Sequence, residues 1–217
     1  MEDLYLIGIL RQTPMLEALT LSVYSAAVLD PLTMPSLREL NLKVDDHMKE
    51  CSDHLLRGFT CPSLMKLSFT AHSSWTCETF EILKRQYNMQ ELREVNLMGY
   101  IELSVSSLLR DAPMLQSLSL TWGTIMDGEA VLGMSNGSLG RFLRKLDISI
   151  FDDLEEMLDV VETRKKVVDE LKKNGCSWRE EITVLKDVLI RTDDQAECEE
   201  SLIALKEAGI AITIWRY

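Results

Sequence analysis

Ile9-Leu10-Arg11-Gln12-Thr13-Pro14-Met15-Leu16-Glu17-Ala18-Leu19-Thr20-Leu21 returns ninety-nine residues later as Leu108-Leu109-Arg110-Asp111-Ala112-Pro113-Met114-Leu115-Gln116-Ser117-Leu118-Ser119-Leu120. The shared pattern, L-x-x-L-x-L, recurs at Leu37-x-x-Leu40-x-Leu42, Leu64-x-x-Leu67-x-Phe69, Leu92-x-x-Val95-x-Leu97, Leu143-x-x-Leu146-x-Ile148 and Leu185-x-x-Val188-x-Ile190. The middle apolar positions are 19, 40, 67, 95, 118, 146 and 188, and Ile210 makes a last member. Their intervals are 21, 27, 28, 23, 28, 42 and 22 residues. A unit of this size is one small structural motif, which buries its apolar side only by stacking on its neighbours.

Most of these intervals lie in or near the range of roughly 20–29 residues that leucine-rich repeats occupy. The last two apolar residues of each copy are two apart, so in a strand they share a side, and the residues around them face the other way. Those outward positions are Ala18, Thr20 and Ser22; Glu39, Asn41 and Lys43; Lys66, Ser68 and Thr70; Glu94, Asn96 and Met98; Ser117, Ser119 and Thr121; Lys145, Asp147 and Ser149. Nearly all are polar or small, which predicts a sheet with one solvated face.

Helical patterns fill the gaps. Thr76 to Tyr87 carries Phe80, Leu83 and Tyr87 on one side, and Ile101 to Leu109 carries Val105, Leu108 and Leu109. Asp152 to Lys173 is the clearest, with an apolar stripe of Leu154, Met157, Leu158, Val161, Val168 and Leu171. Asp152 and Asp153 can cap its start, Lys172 and Lys173 suit its end, and Gly175 can stop it. A last helix, Gln195 to Ala208, leads through Gly209 into the alternating run Ile210 to Ile214. Strands separated by helices must run parallel, because each return to the same edge needs a crossover. The expected fold is therefore α/β: an irregular leucine-rich-repeat solenoid, strands on the concave face and helices on the convex face, in one domain spanning 1–217.

Composition narrows the function. The formal charge is −12. Residues 1–150 hold eighteen acids against thirteen bases, and residues 151–217 hold seventeen against ten. That balance argues against a nucleic-acid backbone as partner. The apolar run Leu4 to Leu10 lacks a basic flank and a cleavage site, and nothing approaches the roughly twenty apolar residues of a membrane span, so no membrane is expected. Five scattered cysteines (Cys51, Cys61, Cys77, Cys176 and Cys198) fit a reduced compartment, cytoplasmic with the nucleus open. Leu4, Leu6, Ile7, Ile9 and Leu10 have no preceding strand to cover them, which predicts an exposed, association-prone N-terminal end.

Candidate chemistry is thin. His47, Cys51 and His54 can share a helical face with Cys61 nearby, but their spacing matches no standard zinc pattern. His72 and Cys77 lack anything to set a thiolate or an oxyanion hole. Gly-rich phosphate loops are absent. Asp152, Asp153, Glu155 and Glu156 read as a helix start, and Asn136-Gly137-Ser138 as a turn. No enzyme, metal or cofactor is expected, and an enzyme using the His47–Cys51–His54 cluster is the rival from another class.

With Pro-x-Leu opening four of its copies (Pro14-Met15-Leu16, Pro35-Ser36-Leu37, Pro62-Ser63-Leu64, Pro113-Met114-Leu115), the repeat line resembles the leucine-rich repeats of fungal F-box proteins, especially the large family of mushroom-forming fungi. The likeness covers essentially the whole chain. It implies a protein-binding domain of the type that recruits substrates to a cullin-type ubiquitin ligase. The F-box that docks the Skp adaptor is absent, so contact with Skp would require an F-box upstream. The Asn or Cys that ordinary repeats place after the strand is replaced by Tyr24, Asp45, His72, Tyr100, Gly123 and Phe151. A leucine-rich-repeat scaffold unrelated to ubiquitin is the alternative. The expected partner-binding track is Thr20, Asn41, Ser68, Asn96, Ser119 and Asp147, with Met98 and Trp122 as apolar anchors and Tyr24 and Tyr100 at other strand ends.

Overall fold

A computed structural model describes residues 8–23, 31–44, 56–71, 77–99, 104–121, 126–150, 154–174, 182–193 and 198–216. In chain order the strands are β1 (Ala18–Val23), β2 (Leu32–Thr33), β3 (Glu39–Val44), β4 (Phe59–Thr60), β5 (Lys66–Ala71), β6 (Glu94–Met98), β7 (Ser117–Thr121), β8 (Lys145–Ser149), β9 (Asp187–Thr192) and β10 (Ala211–Arg216). The helices are α1 (Cys77–Gln86), α2 (Val105–Asp111), α3 (Gly128–Asn136), α4 (Leu154–Lys173) and α5 (Glu199–Glu207). The fold is α/β. Eight strands form one sheet in the order β1-β3-β5-β6-β7-β8-β9-β10, with every neighbouring pair parallel. The short strands β2 and β4 make a separate parallel pair. Among the described residues no helix is long and apolar enough to cross a membrane.

The strands begin two residues later than the leucine pattern predicts, and the reason lies in the turns before them. The carbonyls of Thr13, Met34, Cys61, Met89, Ala112 and Gly140 accept from the N–H of Leu16, Leu37, Leu64, Leu92, Leu115 and Leu143, at 2.9–3.3 Å. Each is an i to i+3 turn, and Pro14, Pro35, Pro62 and Pro113 occupy the second position of four of them, where the ring fixes the required φ. The first leucine of L-x-x-L-x-L therefore closes a turn with its backbone and buries its side chain, fully in every one of these copies but Leu16, and pairing starts after it.

Backbone groups at this corner are satisfied by a second ladder. The Glu17 carbonyl accepts from Arg38 and Glu39 (2.8 and 3.0 Å), and the Arg38 carbonyl from Met65 and Lys66 (2.9 Å each). Met65, Arg93, Gln116 and Arg144 continue the pattern, each carbonyl taking two amides of the next strand. The six sites where an asparagine ladder would stand lie outside the described residues.

The inward row Leu21, Leu42, Phe69, Leu97, Leu120, Ile148 and Ile190 is buried throughout and forms one core with Phe80, Leu83, Leu108, Leu109, Met157 and Val161 of the helices. Sequence periodicity overlooks α3. Its start is capped by Asp127, whose carboxylate accepts from Ala130 N–H at 2.9 Å, and its end by Gly137 at φ +76°. Asn136 Oδ1 accepts from Ser138 N–H at 2.8 Å, so the turn expected there is present. At the N-terminus Leu10 is buried and Ile9 exposed; Leu4, Leu6 and Ile7 lie outside the described residues.

Arg164 stands in the apolar stripe of α4 between Val161 and Val168 and is 0% exposed. Its guanidinium donates to the carbonyls of Thr183 (2.8 Å), Met134 (2.9 Å), Gly140 (2.7 Å) and Arg141 (3.0 Å). Burial lowers its pKa to about 10, so it is charged at neutral pH. The carbonyl end of α3 supplies the compensating negative potential. This side chain ties α4 to the end of α3 and to the segment leading into β9.

Candidate interaction surface

Strand register decides which outward residues meet. Thr20 pairs with Asn41, Asn41 with Ser68, Ser68 with Asn96, Asn96 with Ser119 and Ser119 with Asp147. All six residues of the expected track therefore lie in one row across six strands, spaced by about 4.8 Å per step. The row continues to Leu189 and Thr213 on β9 and β10. Met98 belongs to the neighbouring row with Ser22, Lys43, Thr70 and Thr121 and is 38% exposed. Trp122, Tyr24 and Tyr100 lie outside the described residues, as do His47, Cys51, His54, His72, Asp152 and Asp153. Burial pushes the Cys61 thiol up to about 12, which keeps it protonated at neutral pH.

Two corrections apply to the idea of a freely solvated face. Thr121 and Ser149 sit at outward positions yet are 6% and 3% exposed. The middle row from Asn41 to Asp147 is half-buried, and two pairs of its short side chains bond sideways along the sheet. Asn96 Nδ2 donates to Ser68 Oγ at 3.4 Å, and Ser119 Oγ donates to Asp147 Oδ2 at 3.2 Å. Arg191 then clamps both oxygens of Asp147 through Nη1 and Nη2, the latter at 3.1 Å. The alternation of β9, with Val188 and Ile190 inward, is the sequence signal that puts Arg191 on this face.

The third row, nearest the strand starts, alternates in charge: Glu39, Lys66 and Glu94, then Ser117, Lys145 and Asp187. Lys66 Nζ lies 3.0 Å from Glu94 Oε1, and that bond, with Glu39 beyond it, holds the ammonium above its ordinary pKa. Across the named outward positions of β1, β3 and β5 to β9 the acids Glu39, Glu94, Asp147 and Asp187 balance the bases Lys43, Lys66, Lys145 and Arg191. This face is neutral on a chain of charge −12.

Two recesses lie on it. One of about 300 Å³ runs over Asn41, Ser68, Asn96 and the Glu39–Lys66–Glu94 row. The other, about 460 Å³, runs over Lys145, Asp147, Asp187, Leu189, Thr213 and Trp215. They share Ser117 and Ser119, so together they form one trough, charged at one end and apolar at the other. Trp215 is 62% exposed at the apolar end. Among the described residues it is the aromatic side chain standing open on this face. Extending the alternation of Ile212 and Ile214 by one residue would have found it.

Against known proteins, the chain matches no family model, no curated protein and no solved structure.

Proposed function

We propose that the chain is a leucine-rich-repeat solenoid whose outward strand face binds a protein partner, in the manner of the substrate-recruiting region of F-box receptors that its repeat line resembles. The observation that carries this reading is the eight-strand row Thr20–Asn41–Ser68–Asn96–Ser119–Asp147–Leu189–Thr213, along which two recesses join into one trough. A row of short hydrogen-bonding side chains at strand spacing offers regularly placed donors and acceptors to an extended chain segment. Trp215 supplies the large apolar contact that interfaces commonly centre on. The neutrality of this face also favours protein association, since a strongly acidic surface would repel most partners in an acidic proteome.

The test is capture from an extract of the source cells, run in parallel on surface variants. Glu94→Lys and Lys145→Glu reverse charge in the two recesses, whereas Glu155→Lys with Glu156→Lys alters the outer surface of α4. Loss of the same captured protein with the first two, and retention with the last, supports the strand face. The opposite pattern assigns recognition to the helices and refutes the reading.

A further inference from the structure

Strand β10 ends the sheet, and among the described residues its backbone pairs only with β9. The Ala211 N–H donates to the Lys186 carbonyl at 2.8 Å, toward β9. In a strand the amide and carbonyl of one residue point the same way and successive residues alternate. Thr213 and Trp215 therefore also face β9, and the amides and carbonyls of Ile212 and Ile214 point to the open edge. Sheet edges are normally guarded by a proline, a bulge or a charge. Strand β10 has neither proline nor bulge, and its one charge is Arg216 at the last position, outside the five residues Ala211-Ile212-Thr213-Ile214-Trp215.

The same five residues are self-complementary about Thr213. Placed antiparallel against a second copy, Ile212 faces Ile214 of the other chain, and Ile214 faces Ile212. Among the described residues the edge-facing backbone groups of these two have no partner, so in such a pairing each of the two pairs exchanges both its N–H···O=C bonds. Thr213 meets its own copy at the closer, non-hydrogen-bonded position. On the outward face the large Trp215 lies across from the small Ala211. On the inward face Ile214, the least buried member of a row that is otherwise closed, gains a cover.

We infer that this chain forms a two-fold dimer through antiparallel pairing of β10 with β10 of a second copy. The contact is isologous and closes at two chains. It joins two eight-stranded sheets edge to edge with their outward faces on the same side. Ala211, Thr213 and Trp215 line the larger recess, so the two apolar recess ends meet at the dyad and form one central apolar site. The inference does not depend on what binds the trough.

Sedimentation of the 217-residue chain over a concentration series tests it, alongside two variants. The parent should pass from monomer to dimer and stop there. Thr213→Lys sets two ammonium groups against each other at the dyad and should weaken dimerisation by roughly tenfold or more, while melting at concentrations where both chains are monomeric stays unchanged because Thr213 is exposed. Thr213→Cys should give a covalent homodimer under mild oxidation that the parent does not give. A chain that stays monomeric at the highest soluble concentration overturns the inference, as does a dimer indifferent to Thr213→Lys. Growth beyond two, with cross-linking between Thr213→Cys and Thr20→Cys chains, would instead assign head-to-tail pairing of β10 on β1 and overturn it equally.

Discussion

Arg164 Nη1 stands 2.9 Å from the carbonyl oxygen of Met134, so a cation from the middle of α4 completes the last turn of α3. Carbonyls in a helix's last turn lack intrahelical partners, and that of Met134 is buried where water cannot serve. The fork geometry matters because three further carbonyls, of Thr183, Gly140 and Arg141, are reached by the same group.

Arg164→Leu should therefore be strongly destabilising although it places an apolar residue in an apolar stripe. The carbonyls of Met134 and Thr183 lose the guanidinium, while those of Gly140 and Arg141 keep the N–H groups of Leu143 and Thr183; the expected loss is about 3 kcal/mol, from a cost of roughly 1–3 kcal/mol per buried unsatisfied group with partial relaxation. Arg164→Lys should recover only part of this, since an ammonium cannot span the four positions. Urea unfolding of the three proteins measures it. A leucine variant as stable as the parent would show that the guanidinium holds nothing together.

Asp127 makes a pH-dependent link between two helix starts. Its Oδ1 accepts from Ala130 N–H at 2.9 Å, while Oδ2 accepts from Ser106 N–H (3.1 Å) and Ser104 Oγ (3.0 Å) at the start of α2. Burial pushes the carboxyl pKa up, but these backbone and hydroxyl donors outweigh it and hold the group below its ordinary value. A carboxylate with a depressed folded pKa contributes stability that is present above its unfolded value and is lost as pH falls through the folded one. Asp127→Asn should cost about 1 kcal/mol at neutral pH, as removal of a helix cap does. It should also flatten the loss of stability in the acid range. Equal acid sensitivity in both proteins would remove Asp127 from the account.

How much of this was legible in the sequence depends on the kind of signal. The eight strands of the main sheet, their order and the outward row follow from the repeat and its alternation, since Leu19, Leu40 and Leu67 could align only one way without turning Thr20, Asn41 and Ser68 into the core, whereas the two-residue strands β2 and β4 are too short to show a pattern. Strand starts were misplaced because the first leucine of each copy looks like its neighbours, yet its N–H belongs to a turn. Helix α3 was overlooked because Gly128 and Gly133 dilute its apolar stripe, although Asp127 and Gly137 mark both ends. Arg164 was invisible to any reading that expects only apolar residues in a core. The lateral bonds of Ser119, Asp147 and Arg191 depend on side-chain reach between strands that lie up to 44 residues apart.

Gly137 and Gly128 bracket α3 and should respond oppositely to alanine. Gly137 adopts φ +76°, and a Cβ there would lie 2.5 Å from Ile182 Cδ1. Gly137→Ala should lose about 1 kcal/mol or more, through the left-handed backbone and the displaced Ile182. Gly128 opens the helix, and a Cβ there meets nothing within 4 Å. Gly128→Ala should be neutral or stabilising by up to about 1 kcal/mol, through the better helix propensity. Thermal melts of the two variants decide it, and the same sign in both would contradict this account of the caps.

The last prediction separates folding from binding on the strand face. Asn96 and Ser119 are half-buried and bonded to Ser68 and Asp147, so arginine at either position breaks a lateral bond and forces a long side chain out of the row. Asn96→Arg and Ser119→Arg should therefore each lower stability by about 1 kcal/mol, from the loss of one hydrogen bond. A binding defect in either would be ambiguous. Glu94 and Lys145 occupy the exposed row of the same face, and their reversal should shift stability by about 0.5 kcal/mol or less. Lys66, which leans on Glu94, remains exposed and is rehydrated when that partner is reversed. Melting curves for all four variants come first, and binding is then read from Glu94→Lys and Lys145→Glu. If those two melt well below the parent, the exposed row is structural, and neither variant can report on recognition.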